Sequence, residues 1–208
     1  NRVRMENLRS RISPHFTFNV LGREINQFNG SEEVKHNLME LVKYLRRSLE
    51  LTEKLSVSLQ DELDFVRTYI ELERGRVGED FVATITVEDG LDATRIMIPS
   101  MIVQIPVENA IKHGLAGKDG KKELSVYVSR ETNGIRITVT DNGRGYLPQV
   151  VSATRGTGTG LKVLYQTIQL LNTKNKSDKI RFDITNRSDG QTGTQVSVYI
   201  PFRFSYDL

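Results

Sequence analysis

The chain has no cysteine in its 208 residues, which excludes a disulfide scaffold, a thiolate metal site and a cysteine nucleophile. Any catalysis must therefore come from other side chains, and a reducing compartment is compatible with the composition. Aromatic residues make up only 7%, and 29 basic against 26 acidic residues are scattered without a basic block. That pattern argues against a nucleic-acid partner. No apolar run approaches the ~20 residues needed to cross a bilayer, and no signal-peptide pattern is visible. The chain starts at Asn1 rather than at a methionine, so a soluble fragment of something longer is expected. What is present is ordinary globular composition, 38% hydrophobic and 26% charged, enough to bury a core in one domain or in a small domain beside a helical element.

The first half reads as helical. Leu8, Ile12, Phe16, Leu21, Ile25 and Phe28 recur at spacings near three and four, yet "RISPHFTFNVL" places Pro14 inside that pattern, where a proline costs about 3 kcal/mol. Asn29, Gly30 and Ser31 then give a stop and an N-cap, and Glu32 and Glu33 suit the first turn of a second helix. That helix carries Val34, Leu38, Leu41, Leu45 and Leu49 as one narrow stripe. A hairpin this thin cannot bury its stripes alone, so a dimeric four-helix bundle is the expected completion. A third helix is predicted from Ser58, a cap with Asp61 three residues on, carrying Leu59, Leu63, Val66 and Ile70.

From Phe81 the apolar period changes to two in "FVATITVE". "ELSVYVSRE" and "IRITVTD" form a predicted hairpin across Thr132, Asn133 and Gly134, and "KIRFDIT" with "TQVSVYIP" form another. "SMIVQIPVENAIKHG" and "GLKVLYQTIQLLN" are helix candidates between them. The order implies an α/β layer with one mixed sheet, with the boundary near residues 52 to 58 or 74 to 80.

Three segments of the second domain carry chemistry. In "VENAIKHG", Asn109 and Lys112 are three apart and share a helix face; an amide oxygen can ligate Mg²⁺ while an ammonium meets phosphate. In "DNGRGY", directly after a strand, the Asp141 carboxylate can accept a hydrogen bond from an exocyclic amine such as that of adenine. Gly143 and Gly145 let the backbone approach a flat base. "GTGTGL", Gly156 to Leu161, opens a helix with successive backbone N–H groups, an anion site. It matches neither a P-loop nor a dinucleotide fingerprint.

In that order, "PVENAIKHG", "DNGRG", "GTGTGL" and "TGTQVSVYIP" resemble the nucleotide segments of the ATP-binding domain shared by histidine kinases, gyrase-type topoisomerases, mismatch-repair ATPases and heat-shock chaperones, over residues 78 to 203. "SPHFTFN" resembles the Pro-His-Phe-x-Phe-Asn phosphoacceptor motif of the LytS/YehU-like sensor histidine kinases, with Ser13 and Thr17 in place of the family's usual Asn and Leu. The resemblance implies an α+β chain: a helical hairpin forming a dimeric four-helix bundle, then an α/β two-layer sandwich ATP-binding domain. Residues 1–55 would be the dimerisation and phosphotransfer hairpin, 56–77 a connecting helix and 78–208 the catalytic domain. It also implies a homodimer, a response-regulator partner, and origin as the cytoplasmic portion of a bacterial inner-membrane protein.

The implied reaction is ATP-dependent phosphorylation of His15, with Pro14 loosening the helix where the imidazole must meet a triphosphate. By the same resemblance Asn109 holds Mg²⁺, Lys112 meets phosphate and Asp141 reads adenine in a pocket shaped by Gly143 and Gly145. Gly156, Gly158, Gly160 and Leu161 form the lid hinge and phosphate site, and Thr194 adds a hydroxyl near Asp141. His113 and Glu108 belong to the site, Glu108 as the carboxylate that orients His15. Asn19 follows His15 by four residues on one helical face, where an amide could orient water toward a regulator's phosphoaspartate. Two alternatives stay open, a hydrolytic ATPase of the same superfamily and a non-catalytic dimeric signalling module. Against the first, the glutamate that activates water in hydrolytic relatives corresponds to Ile105 here.

Overall fold

The structure is a computed structural model that describes residues 14–27, 29–146 and 159–207, with side chains described over 21–27, 29–146 and 160–207. The chain divides into two compact units, Asn1–Glu53 and Lys54–Leu208. In the first, α1 spans Pro14–Gln27 and α2 spans Glu32–Thr52. Ser31 caps α2 as its sequence predicts, its side chain accepting from the Val34 N–H at 3.3 Å, with Glu32 and Glu33 in the first turn. The expected loosening of the helix ahead of Pro14 lies outside the described residues.

The stripe on α2 divides in two. Leu38 and Met39 pack with Val42 and Ile25 inside the hairpin, whereas Val34, Leu41, Leu45 and Leu49 remain 36–45% exposed. The hairpin thus closes on one part of its apolar face and leaves the other uncovered. Among the described residues no helix is long and apolar enough to cross a membrane.

The second unit begins with β1 (Ser56–Ser58), which pairs antiparallel with β3 (Met97–Pro99). Neither three-residue strand was predicted, because so short a segment shows no period. Between them α3 (Leu59–Val77) is capped by Ser58, whose side chain accepts from the Asp61 N–H at 3.0 Å, and it buries Leu63, Phe65, Val66 and Ile70. β2 (Phe81–Val87), β4 (Lys122–Glu131), β5 (Gly134–Asp141), β6 (Arg181–Asn186) and β7 (Thr194–Pro201) form one sheet in the order β2-β4-β5-β7-β6. Only β2 and β4 run parallel, so the sheet is mixed as expected.

One sheet face carries Leu124, Val126, Val128, Ile137, Val139 and Val198, all buried, and the helices pack over it. Those are α3, α4 (Gln104–Asn109) with the π-helical turn Ala110–Gly114 that continues it, and α5 (Thr159–Lys174) with Leu164, Ile168 and Leu171 inward. The other face exposes Val82 and Tyr127. This is the two-layer α/β sandwich. The helix predicted over "SMIVQIPVENAIKHG" starts only at Gln104, because Met101 takes a left-handed backbone conformation (φ 67°) that no α-helix accommodates.

Candidate functional site

A cavity of about 200 Å³ opens between the helix layer and the sheet, at the end of β5. Its apolar walls come from Pro106, Ala110, Val139, Leu161, Ile184 and Val196, and its polar groups from Asn109, His113, Asp141, Arg144 and Thr194. The three separate sequence segments converge here because β5 ends beside the π-helical turn, and α5 begins alongside α4.

Asp141 is the cavity's buried charge, only 4% exposed. Its Oδ1 accepts from the Gly143 N–H at 2.8 Å and the Thr194 N–H at 3.3 Å. Among the described residues no donor meets Oδ2. Burial raises the carboxyl above the usual aspartate range, opposed by those two N–H groups and by Arg187. Thr194 meets Asp141 here through its backbone N–H, beside the hydroxyl expected near the same carboxylate.

The approach around Asp141 is so close that side chains are excluded. A Cβ on Gly193, whose φ is +144°, would overlap the Asp141 carbonyl, and one on Gly143 would overlap the carbonyl of Gly114. Gly145 lines the cavity with its backbone. Asn142, between Asp141 and Gly143, is structural: its Oδ1 accepts from the Glu123 N–H at 2.8 Å and its Nδ2 donates to the Lys121 carbonyl at 3.0 Å.

On the helix side, the Asn109 Nδ2 donates to the Ile105 carbonyl at 3.0 Å. A carbonyl partner identifies that atom as the nitrogen, so Oδ1 is the one available to a cation. His113 also lines the cavity. Burial lowers its pKa, and the Arg144 and Lys112 charges lower it further, so the imidazole is neutral at neutral pH. Lys112 and Glu108 stand outside the cavity lining and are paired with each other, Nζ to Oε2 at 3.0 Å, while Glu108 Oε1 accepts from Gln104 Nε2 at 3.0 Å.

Leu161 contributes to the cavity, and Gly160 packs where a Cβ would stand 3.3 Å from Ile105 Cγ2. Gly156 and Gly158 lie outside the described residues. The backbone of α1 is helical through residues 15 and 19, which keeps their Cα atoms one turn apart on one face. The side chains of His15 and Asn19 lie outside the described ones.

Several site residues escaped the sequence reading. Arg144 sits within "DNGRG" and donates through Nε to the His113 carbonyl at 2.9 Å, tying the loop after β5 to the π-helical turn. Tyr146 is held at both backbone groups by Asn186, its N–H donating to Oδ1 at 2.6 Å and its carbonyl accepting from Nδ2 at 3.2 Å. Arg144 and Gly193 were legible inside motifs already singled out. Ile184 and Asn186 were not, since an alternating strand looks the same whether or not it walls a cavity.

Residues 94–203 match the family described as Histidine kinase-, DNA gyrase B-, and HSP90-like ATPase, and residues 3–81 match the family described as Histidine kinase. The chain is 28% identical over 202 residues to Sensor histidine kinase YpdA of Escherichia coli (strain K12), covering 97% of this chain and 34% of that protein. It is 30% identical over 207 residues to Sensor histidine kinase/phosphatase LytS of Staphylococcus aureus (strain MRSA252), covering 95% of this chain and 34% of that protein. The chain therefore spans about a third of the length of the curated relatives it matches. Among solved structures, the histidine kinase domain of the Erythrobacter litoralis EL346 blue-light activated histidine kinase shares the fold, with a TM-score of 0.54 at 18% identity over 80% of this chain and 75% of that one. The ATPase match covers more than half of the sequence and contains every wall of the cavity around Asp141, and the chain accordingly belongs to the histidine kinase-, DNA gyrase B- and HSP90-like ATPase family, whose ATP-binding domain it carries behind a histidine kinase region.

Proposed function

We propose that this chain is the catalytic portion of a dimeric sensor histidine kinase that phosphorylates His15 from ATP and passes the phosphoryl group to an aspartate of a response regulator. Residues 1–55 act as the dimerisation and phosphotransfer hairpin and residues 78–208 as the catalytic domain, with residues 56–77, which hold β1 and α3, connecting them. The observation that carries the reading is the Asp141 carboxylate, buried in a cavity of base size with one oxygen bound to the backbone and the other left for a donor. The adenine amine is that donor. Gly156, Gly158 and Gly160 take the phosphates, with Lys112 swinging from Glu108 to help; that surface pair is a weak tie.

The residues also fit Mg²⁺. A hard cation that keeps most of its shell from phosphate and water needs only one or two protein oxygens, and Asn109 Oδ1 is such an oxygen. When bound, the ion supplies positive charge at the triphosphate. In the transfer itself, the lone pair of one His15 imidazole nitrogen bonds to the γ-phosphorus as the bond to the ADP oxygen breaks, and the proton on the other ring nitrogen is released. Ile105, at the position where hydrolytic relatives hold a glutamate, cannot activate water, so net hydrolysis is slow. Incubation with γ-labelled ATP and Mg²⁺ tests the reading. Acid-labile, base-stable label on the protein is expected, and its absence would favour a non-catalytic module.

Glu108 is the carboxylate we assign to orient His15. Glu108→Gln is expected to slow phosphorylation by about tenfold or more with little change in ATP affinity. If metal dependence and affinity shift together with the rate, Glu108 belongs to the Mg²⁺ shell instead. Asn19 is assigned to orient water in dephosphorylation of the regulator; the relative LytS is named a kinase/phosphatase.

The exposed apolar stripe of α2, Val34, Leu41, Leu45 and Leu49, supports the dimer. Leu45→Glu is expected to give a folded monomer by sedimentation. Leu38→Glu should instead unfold the hairpin, because Leu38 packs against its buried Ile25 and Val42 cluster. An unmodified protein that is monomeric at high concentration would overturn the bundle. We place the chain on the cytoplasmic side of a bacterial inner-membrane protein.

A further inference from the structure

α4 begins without a cap of its own. Its N-cap position is Val103, which offers no side-chain acceptor, and it is preceded by Met101 in the left-handed conformation. The backbone N–H groups at a helix start nevertheless need partners. They find one 39 to 42 residues upstream: Glu62 Oε2 accepts from the Met101 N–H at 3.0 Å, and Oε1 accepts from Val103 at 3.0 Å and Gln104 at 3.1 Å. Glu62 is fully buried. Burial pushes its carboxyl up while the three N–H bonds pull it down. A buried carboxylate is a costly way to start a helix, since an ordinary serine cap would do so at the surface.

Its position suggests what the cost serves. Asn109 lies five residues beyond Gln104 on the same short helix, and a one-residue slip at the helix start would turn Asn109 by ~100° about the axis. Locally this start is held by turn bonds, the Ile102 N–H to the Pro99 carbonyl at 3.4 Å and the Ile105 N–H to the Met101 carbonyl at 3.1 Å, and Val103 adds no side-chain cap to them, so Glu62 is the long-range group that fixes the register. α3 also meets the far end of this segment, where Lys112 Nζ stands 6.0 Å from the centre of the Tyr69 ring. β1 and β3 pair just before Met101, with Ser56 opposite Pro99. The part of the chain that follows the hairpin unit in sequence therefore grips the start of the helix bearing Asn109.

We propose that Glu62 is a positioning residue for the nucleotide site: by fixing the register of α4 it sets where the Asn109 amide oxygen stands. The inference rests on the reading of Asn109 as the residue that holds Mg²⁺. It predicts a split between two parts of nucleotide binding. The base-reading edge of the cavity, Asp141 with Gly143 and Gly193, is not touched by Glu62, and α4 with the turn that continues it gives the cavity apolar wall from Pro106 and Ala110, whereas the metal-dependent part passes through the directed Asn109 oxygen and is the more sensitive to the register of α4.

ATP affinity is measured by calorimetry in excess Mg²⁺ and again in EDTA, for the unmodified chain, Asn109→Ala, Glu62→Gln and Glu62→Asp. The glutamine has one acceptor oxygen and sets an N–H against an N–H; the aspartate falls one methylene short. Both are expected to lose most of the Mg²⁺-dependent gain in affinity, on the order of 10-fold, and to lose distinctly less, about threefold or under, in affinity for ATP in EDTA. An equal fold loss in the two parts, or retention of both, would overturn the inference. If Asn109→Ala keeps the full Mg²⁺ gain, the metal assignment itself fails and the inference falls with it. A second measurement needs no variant. Amide exchange at Met101, Val103 and Gln104 in the unmodified chain should slow more with ATP and Mg²⁺ than with ATP in EDTA, and equal protection in the two would also overturn the proposal.

Discussion

His15→Gln is expected to abolish labelling of the protein by γ-labelled ATP while leaving ATP affinity within about twofold of the unmodified chain. The imidazole nitrogen carries an in-plane lone pair that can attack phosphorus. The glutamine amide nitrogen shares its lone pair with the carbonyl and is not a nucleophile. Every described residue lining the cavity around Asp141 belongs to Lys54–Leu208, so a substitution at position 15 removes none of these walls. The other two histidines differ in kind: His36 is an exposed residue of α2 and His113 is a cavity residue beside Asn109. Undiminished, acid-labile label on His15→Gln would shift the acceptor role to one of these. Phosphotransfer to a regulator should vanish with the label.

Asp141→Ala should do the reverse, weakening ATP by ~1.5 to 3 kcal/mol, the range for losing a hydrogen bond to a charged group, or about 10- to 150-fold. The alanine also strands the Gly143 and Thr194 N–H groups, so Asp141→Asn is the sharper variant. Its oxygen can keep both bonds, while its NH₂ faces the adenine amine donor against donor. Both variants should lose the preference for ATP over a purine triphosphate that lacks the exocyclic amine. Equal weakening of the two nucleotides would make Asp141 a structural residue only. The same carboxylate gives binding a pH dependence. Acceptance from the adenine amine is strongest above the Asp141 pKa and is lost as pH falls through it. Because burial raises that pKa, the loss should begin at a higher pH than a surface aspartate would give, and it should be absent in Asp141→Asn.

The elements of this chain were largely legible in its sequence because the signals are local. Ser31 and Ser58 cap the helices predicted from them, and the strands beginning at Phe81 and ending at Asp141 follow the two-residue period. Local signals fail where a partner distant in sequence decides the outcome. The helix before Asn109 looked continuous from Ser100, since nothing nearby shows that Glu62 will hold Met101 in a left-handed turn. The leucines of α2 formed one stripe in the sequence, and packing against Ile25 divided it.

For the site, the residue types and their order were readable without coordinates: a carboxylate after a strand, an amide on a helix and glycines where backbone must come close. Those choices are dictated by the chemistry of the atoms, which a sequence states directly. Which atom does what depended on the tertiary structure. It assigned Asp141 Oδ1 to the Gly143 and Thr194 N–H groups, Asn109 Nδ2 to Ile105 and the Glu108 carboxylate to Lys112 and Gln104. It also brought in Ile184, Asn186 and Glu62, none of which stands in a motif. The physical reason is that a hydrogen bond is settled by distance and direction: which atom faces which within a turn depends on the backbone that packing has fixed, and Thr194 and Glu62, 53 and 39 to 42 residues from their partners, meet them only when sheet and helices pack.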